Sequence, residues 1–285
     1  MTIIAFTGIF SRRSVNPETQ KKIWNLKFSG NQEGIPILWL HGFLGSHRDW
    51  LPVVEDHFRD YYNILPDLPG HGESKLQDHT AFPAVANDLF NQISQAGVKN
   101  FIIIGYSMGG RFGLHFQKRY PCHVDAFVGI SSGPGLRTEE ERQLRQKSDE
   151  ALISMMHDSG MQSFLRTWYE SPLFQSIHDN KEIMAHLLRT RMANDPEQLG
   201  RSLGVLGNGA LYSLWDNLAD MDLPVLLASG GLDTKYCEIN AKMGNLIQGC
   251  VHNVFEGVDH AFHIEKPLET ALLIRNFLRN MTKGE

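Results

Sequence analysis

Phe101-Ile102-Ile103-Ile104-Gly105-Tyr106-Ser107-Met108-Gly109-Gly110-Arg111 is the stretch that decides the fold. Its four leading apolar residues read as a buried strand, and the small residues after them let the chain turn sharply before a helix begins at about Gly109. The Gly105-x-Ser107-x-Gly109 spacing has a mechanical reason. Glycine at both ends leaves room for backbone to pack around a strained turn that holds the Ser107 hydroxyl clear of the sheet. The following helix aims free N–H groups and the positive end of its dipole at the same spot, stabilising an oxygen that gains negative charge. Such a short pattern recurs by chance, so the reading leans on its flanking elements and on partners elsewhere in the chain.

Upstream, residues 22–28 alternate apolar and polar side chains (Ile23, Trp24, Leu26, Phe28), as a half-exposed antiparallel strand does. Residues 35–40 form a continuous apolar run, hence a fully buried strand, ending at His41-Gly42-Phe43-Leu44-Gly45. A third strand over 61–65 is closed by Asp67-Leu68-Pro69-Gly70-His71-Gly72-Glu73-Ser74, and 82–97 has helical spacing (Val85, Leu89, Ile93). Downstream come a helix to about Tyr120 and a strand over 126–130. Strands alternating with helices predict an α/β fold, a mostly parallel sheet flanked by helices on both faces.

The pattern then changes. Between Gly133 and Leu218 only helical segments are legible, over 139–157, 160–169, 179–192 and 196–206. We read residues 134–218 as an inserted all-helical cap, with 1–133 and 219–285 forming the core. Alternation resumes with a strand over 224–229, a helix from about Tyr236 to Ile247, a strand over 251–255 and a last helix over 267–279.

Composition excludes several classes. The chain of 285 residues carries a net charge of −5, which argues against a nucleic-acid binder. Three widely spaced cysteines (Cys122, Cys237, Cys250) suggest buried thiols in a reducing compartment rather than a disulfide framework or zinc site. The apolar residues 1–10 have Arg12-Arg13 after rather than before them, the wrong order for a signal peptide, and are too few to span a bilayer. They read as a tail or early edge strand of a cytoplasmic protein without membrane insertion. Nothing speaks to oligomeric state.

A serine hydroxyl needs a base, and the base an orienting acid. In a strand–turn–helix setting of this kind the partners follow in the order Ser, Asp, His. Asp233 lies just past a buried strand, in Ser229-Gly230-Gly231-Leu232-Asp233, and His260 just past the last strand, in Gly257-Val258-Asp259-His260. Asp222 precedes its strand, Asp259 adjoins His260 too closely to hold its ring, and His263 is either a supporting group or a polar surface residue. Two backbone N–H groups are needed to hold an oxyanion: that of Met108 after the nucleophile, and that of Phe43 in the loop after an earlier strand. His41 fits a structural role shaping that loop. Asp67 and His71 lack a third ligand at metal-like spacing, so neither a metal nor another cofactor is expected.

Together these features resemble the α/β-hydrolase superfamily over most of the chain, and the run Asp67–Ser74 strengthens the likeness. A fold of this kind does not name a substrate. Arg111, one helical turn after Ser107 on the same helix face, is more informative, because a greasy acyl pocket has little use for a cation. Read locally, Arg145 could pair with Glu141 on a solvated helix.

A more specific resemblance comes from Ser132-Gly133-Pro134-Gly135-Leu136, Glu141-Arg142, Arg145-Gln146, Ser148-Asp149, Trp168-Tyr169 and Pro172-Leu173-Phe174, with the elbow and His41-Gly42-Phe43 followed by Asp49-Trp50. This set is similar to the 2-succinyl-6-hydroxy-2,4-cyclohexadiene-1-carboxylate synthases of menaquinone and phylloquinone biosynthesis. The resemblance implies a lyase that eliminates pyruvate from a substrate with three carboxylates, using the triad to abstract a proton. By matching motif it implies Arg111, Arg145 and Arg189 as carboxylate-binding groups, and Tyr106 and Trp168 as pocket-lining aromatics. The chain departs from the family in a longer N-terminus and in Leu44, where some members carry a small polar residue. Two other readings of the same residues are a serine hydrolase of carboxylated esters or thioesters and a non-catalytic receptor with a relic triad.

Overall fold

Short runs rich in β-branched and aromatic residues build one seven-stranded sheet, and the longer amphipathic runs between them cover its two faces. The computed structural model describes residues 23–77 and 80–281. In chain order the first half holds β1 Asn25–Gly30, β2 Pro36–Leu40, α1 Leu51–His57, β3 Tyr62–Asp67, α2 Phe82–Gln95, β4 Phe101–Tyr106, α3 Met108–Arg119 and β5 Val124–Ile130. Five helices follow: α4 Glu139–Asp158, α5 Gly160–Tyr169, α6 Gln175–Asp179, α7 Lys181–Arg191 and α8 Pro196–Leu206. The sheet is completed by β6 Val225–Gly230, α9 Thr234–Gly244, β7 Val251–Phe255, α10 Phe262–Glu265 and α11 Pro267–Met281. The expectation for residues 1–10 lies outside the described residues.

The strand order is β1-β3-β2-β4-β5-β6-β7, with β1 antiparallel to β3 and every other pair parallel. Alternation along each strand divides the core. Ile37, Trp39, Ile104 and Val128 pack on one face, and Leu38, Leu40, Ile103 and Phe127 on the other. Every residue of β4 is buried. Parallel strands put all their C-terminal ends along one edge, so whatever follows β2, β4, β6 and β7 is gathered there.

Local chemistry explains where the boundaries differ from expectation. The helix expected over 179–192 is α7, which starts only at Lys181 because Asn180 is extended and its side chain caps the helix by accepting from Ile183 N at 3.2 Å; the short α6 just before it was not expected. The helix expected from Tyr236 starts at Thr234, since Asp233 caps it by accepting from Tyr236 N at 3.1 Å. At the start of α4, Thr138 and Glu141 form a reciprocal capping box, so Glu141 is spent on the helix end and is not the partner of Arg145. Helix α1, with Pro52 in its first turn, had no counterpart among the elements expected from sequence.

Candidate active site

At Ser107 the chain passes from β4 to α3 with φ 50° and ψ −112°, a left-handed conformation that costs about 1–3 kcal/mol in a residue with a side chain. Two close approaches hold it. A Cβ on Gly105 would stand 2.6 Å from Gly110 Cα, and one on Gly109 would strike the carbonyl oxygens of Leu40 and His41. The strained turn therefore exists because β4, β2 and α3 touch backbone to backbone.

His260 Nε2 lies 3.0 Å from Ser107 Oγ, and His260 Nδ1 lies 2.6 Å from Asp233 Oδ2. With Nδ1–H donating to the carboxylate, Nε2 is free to accept from the hydroxyl. The aromatic rings of Tyr236, Tyr106 and Phe174 stand 4.8, 5.3 and 5.8 Å from the imidazole and wall it from water. Asp222, exposed before β6, is nowhere near this arrangement, whereas buried Asp259 accepts from Ser176 N at 2.8 Å and so ties the helical insertion to the histidine loop. The same insertion accepts a hydrogen bond from His260 N through Leu173 O at 3.3 Å.

His263 is fully buried rather than on the surface. Its ring packs 4.2 Å from Tyr106 and 4.8 Å from Trp50, and burial pulls its pKa down to about 3, so it is neutral. His41 fulfils its structural reading: Nδ1–H donates to Gly42 O at 2.7 Å and Nε2 accepts from Leu68 N at 2.8 Å, joining the Phe43 loop to the 67–74 loop. Asp67 is saturated. Burial pushes its carboxyl up, but bonds from the His47 ring and from the backbone of Glu73 and His47 outweigh this and hold it below the ordinary range. Leu44 also takes a left-handed conformation, φ 66°, and its carbonyl accepts from Asn194 at 2.9 Å.

Ser107 opens into a cavity lined by Phe43, Met108, Tyr106, Arg111 and His260 from the core and by Arg145, Trp168, Leu173 and Phe174 from the insertion. Phe43 N–H has no protein acceptor among the described residues, and Met108 N–H opens α3, where no intrahelical partner exists. Trp168 packs on Phe43 with ring centroids 5.4 Å apart.

Arg111 is 5% exposed, yet no carboxylate among the described residues lies within ion-pair distance of it. Its one hydrogen bond runs to Leu206 O at 3.3 Å, Nε has no partner, and burial lowers its pKa to about 10, leaving it charged. Arg145 is held by Asp149 four residues on, Nε to Oδ1 2.7 Å. Burial raises the Asp149 carboxyl, with Arg145 opposing.

Arg189 is a correction. It is exposed on α7 with Nη2 3.4 Å from His186 Nδ1, and it does not line the cavity. At roughly 100° per residue, the buried side of α7 falls instead to Arg191, which grips Asp49 with bonds of 2.8 and 2.7 Å. Lys235 and Tyr236 also line the cavity and were not among the residues singled out from sequence. Their signal was adjacency to Asp233, at the start of a helix expected to begin two residues later.

Sheet, elbow and triad define a protein of the α/β-hydrolase fold, and the family model for that fold matches residues 35–155. A Bacillus subtilis protein, itself only provisionally named a 2-succinyl-6-hydroxy-2,4-cyclohexadiene-1-carboxylate synthase, is 32% identical over 252 residues, covering 86% of this chain and 90% of its own. The structure of MenH from S. aureus superposes with a TM-score of 0.84 at 29% identity, over 90% of this chain and 98% of that one. Protein PHYLLO of the Arabidopsis thaliana chloroplast is 31% identical over 87% of this chain, which spans only 16% of that longer protein. The chain belongs to the 2-succinyl-6-hydroxy-2,4-cyclohexadiene-1-carboxylate synthase family within the α/β-hydrolase fold.

Proposed function

We propose that the protein eliminates pyruvate from 2-succinyl-5-enolpyruvyl-6-hydroxy-3-cyclohexene-1-carboxylate to give 2-succinyl-6-hydroxy-2,4-cyclohexadiene-1-carboxylate, in menaquinone or phylloquinone biosynthesis. The observation that carries this reading is Arg111: a buried, unpaired guanidinium in the same cavity as a serine activated by histidine. A buried charge without a partner is costly, and a carboxylate on the substrate removes the cost. Arg145, with Asp149 on one side of its guanidinium, offers a second contact. The family relationship supplies the identity of the polycarboxylate.

In this reading His260 Nε2 takes the Ser107 proton while Oγ removes the ring proton next to the succinyl carbonyl. The freed electron pair moves through the ring double bond, and the bond from carbon to the enolpyruvyl oxygen breaks. The imidazolium returns the proton to the departing oxygen, and the enol so released tautomerises to pyruvate. Charge that builds on the succinyl carbonyl oxygen is met by the N–H groups of Phe43 and Met108, as it would be in a tetrahedral intermediate. Tyr106 and Trp168 serve as walls that orient the ring. No acyl-enzyme is formed and no cofactor enters. A cytoplasmic setting belongs to this reading, and the three cysteines are free thiols, Cys122 exposed and Cys237 and Cys250 half-buried rather than buried as expected. No helix among the described residues is long and apolar enough to cross a membrane.

Release of pyruvate from the pathway substrate, read through lactate dehydrogenase, tests the reading. Ser107→Ala is expected to lower kcat by about 10²–10⁴-fold. The triad spacing suits acyl transfer equally well, so hydrolysis of carboxylated esters or thioesters is the second reading. Robust ester turnover with no pyruvate would select it.

A further inference from the structure

We propose that Lys235, not Arg189, provides the third carboxylate-binding cation of this cavity, an inference that rests on the polycarboxylate reading above. Lys235 is the second residue of α9, two positions after Asp233, so the turn that fixes the triad acid also fixes the stem of this side chain. It lines the cavity beside Ser107, Arg111 and Arg145. Among the described residues no carboxylate lies within ion-pair distance of its ammonium group, which sits over the face of Tyr236, with Nζ 5.7 Å from the ring centroid.

Three cations thus converge on one cavity with a single carboxylate, Asp149, in ion-pair contact with any of them. Burial and the charges of Arg145 and Arg111 act together to lower the Lys235 pKa, with Asp233 opposing, and the Arg145 charge likewise works against that of Arg111. A fold gains nothing from gathering like charges. An anionic ligand removes the repulsion, and a tricarboxylate offers one group to each cation.

Arg189 cannot take this part because it lies on the far side of α7 from Arg191, in contact with His186. Lys235 differs from the two arginines in a useful way. It is exposed at the cavity mouth, and an ammonium on a flexible stem is a point charge that follows a moving carboxylate rather than fixing it in a plane. Such a group suits the part of the ligand that enters last or leaves first.

Lys235→Gln, Lys235→Arg and Arg189→Gln test the assignment in the intact enzyme. Lys235→Gln is expected to raise KM for the pathway substrate about tenfold with a much smaller change in kcat. Lys235→Arg should recover most of the loss, and Arg189→Gln should match the parent enzyme. Titration calorimetry with tricarballylate, an inert tricarboxylate, should show about tenfold weaker binding to Lys235→Gln than to the parent at the same ionic strength. An unchanged KM in Lys235→Gln, or the loss appearing in Arg189→Gln, overturns the inference. Should the parent release no pyruvate, the lyase reading falls by itself, and tricarballylate still decides Lys235: equal affinity, or none, in parent and Lys235→Gln overturns it.

Discussion

Two arginines lie equally deep in this molecule and live differently. Arg191, 4% exposed, meets Asp49 through two parallel bonds; Arg111, 5% exposed, meets one backbone carbonyl. Burial pulls both guanidinium groups down, but Asp49 reverses the effect at Arg191, whereas Arg111 is left lowered to about 10. A buried charge whose partner belongs to the fold stabilises an arrangement already made. One whose partner is missing among the described residues is, in the proposed reading, where a carboxylate of the substrate completes the pair.

The largest expected effect comes from breaking the paired arginine. Asp49→Ala strands the Arg191 charge and is expected to cost about 3–5 kcal/mol in urea unfolding, whereas replacing both partners by apolar residues of similar volume should cost far less. If Asp49→Ala proves as stable as the parent, the pair is not structural and the contrast fails. Arg111→Met inverts the pattern. It removes about 2–3 kcal/mol of transition-state binding from kcat/KM, yet leaves the melting temperature unchanged or higher, because an unpaired buried charge is lost. A drop in stability with normal kcat/KM would make Arg111 a structural residue after all.

How much of this was legible in sequence follows from the same distinction. Ser107, Asp233 and His260 each follow a strand end, and parallel strands bring their ends to one edge, so position in the chain translated into position in space. Arg111 was legible because one helical turn from Ser107 is a fixed distance within α3. Arg189 rested on motif likeness alone, whereas the apolar stripe of Ile183 and Leu187 puts Arg191, four residues on, at the buried face of α7 and leaves Arg189 on the opposite side. Lys235 escaped notice because the side-chain cap by Asp233 starts α9 two residues before its apolar pattern does. The alternative pairing of Arg145 with Glu141 fails for a related reason, as Glu141 is committed to the capping box and Arg145 meets Asp149. Periodicity shows which residues are apolar, but caps set where a helix begins, and that choice aims every charged side chain on it.

The paired side of the molecule also predicts a pH dependence. His263 packs beside the Asp49–Arg191 pair, whose opposite charges work against each other at its ring, so burial alone dominates and holds it near 3. Its pKa is lower folded than unfolded, so its share of stability is complete above about 6.5 and lost as pH falls below that value. Between pH 7 and 5.5 one such group removes about 1 kcal/mol. His263→Phe keeps the ring between Trp50 and Tyr106 and should lose that much less than the parent over this range. Parallel stability curves for the two proteins would show that His263 is not held neutral.

The smallest effect concerns where insertion and core meet near the triad. Asp259 and Glu265 accept from Ser176 N and Ser176 Oγ, each at 2.8 Å, and burial first, then the Asp259 charge, raise the Glu265 carboxyl. A raised pKa means that Glu265 stabilises the fold most fully below about 4.5 and loses that contribution as pH rises through its folded value. Glu265→Gln fixes a neutral group able to donate to Asp259 at every pH. At pH 7 it should stabilise the protein by less than about 1 kcal/mol, reduced by partial exposure to solvent, and the advantage should vanish near pH 4. If instead Glu265→Gln weakens the protein at pH 7, the carboxylate itself holds Ser176, and this junction would be a charged contact akin to Asp49–Arg191 rather than a shared proton.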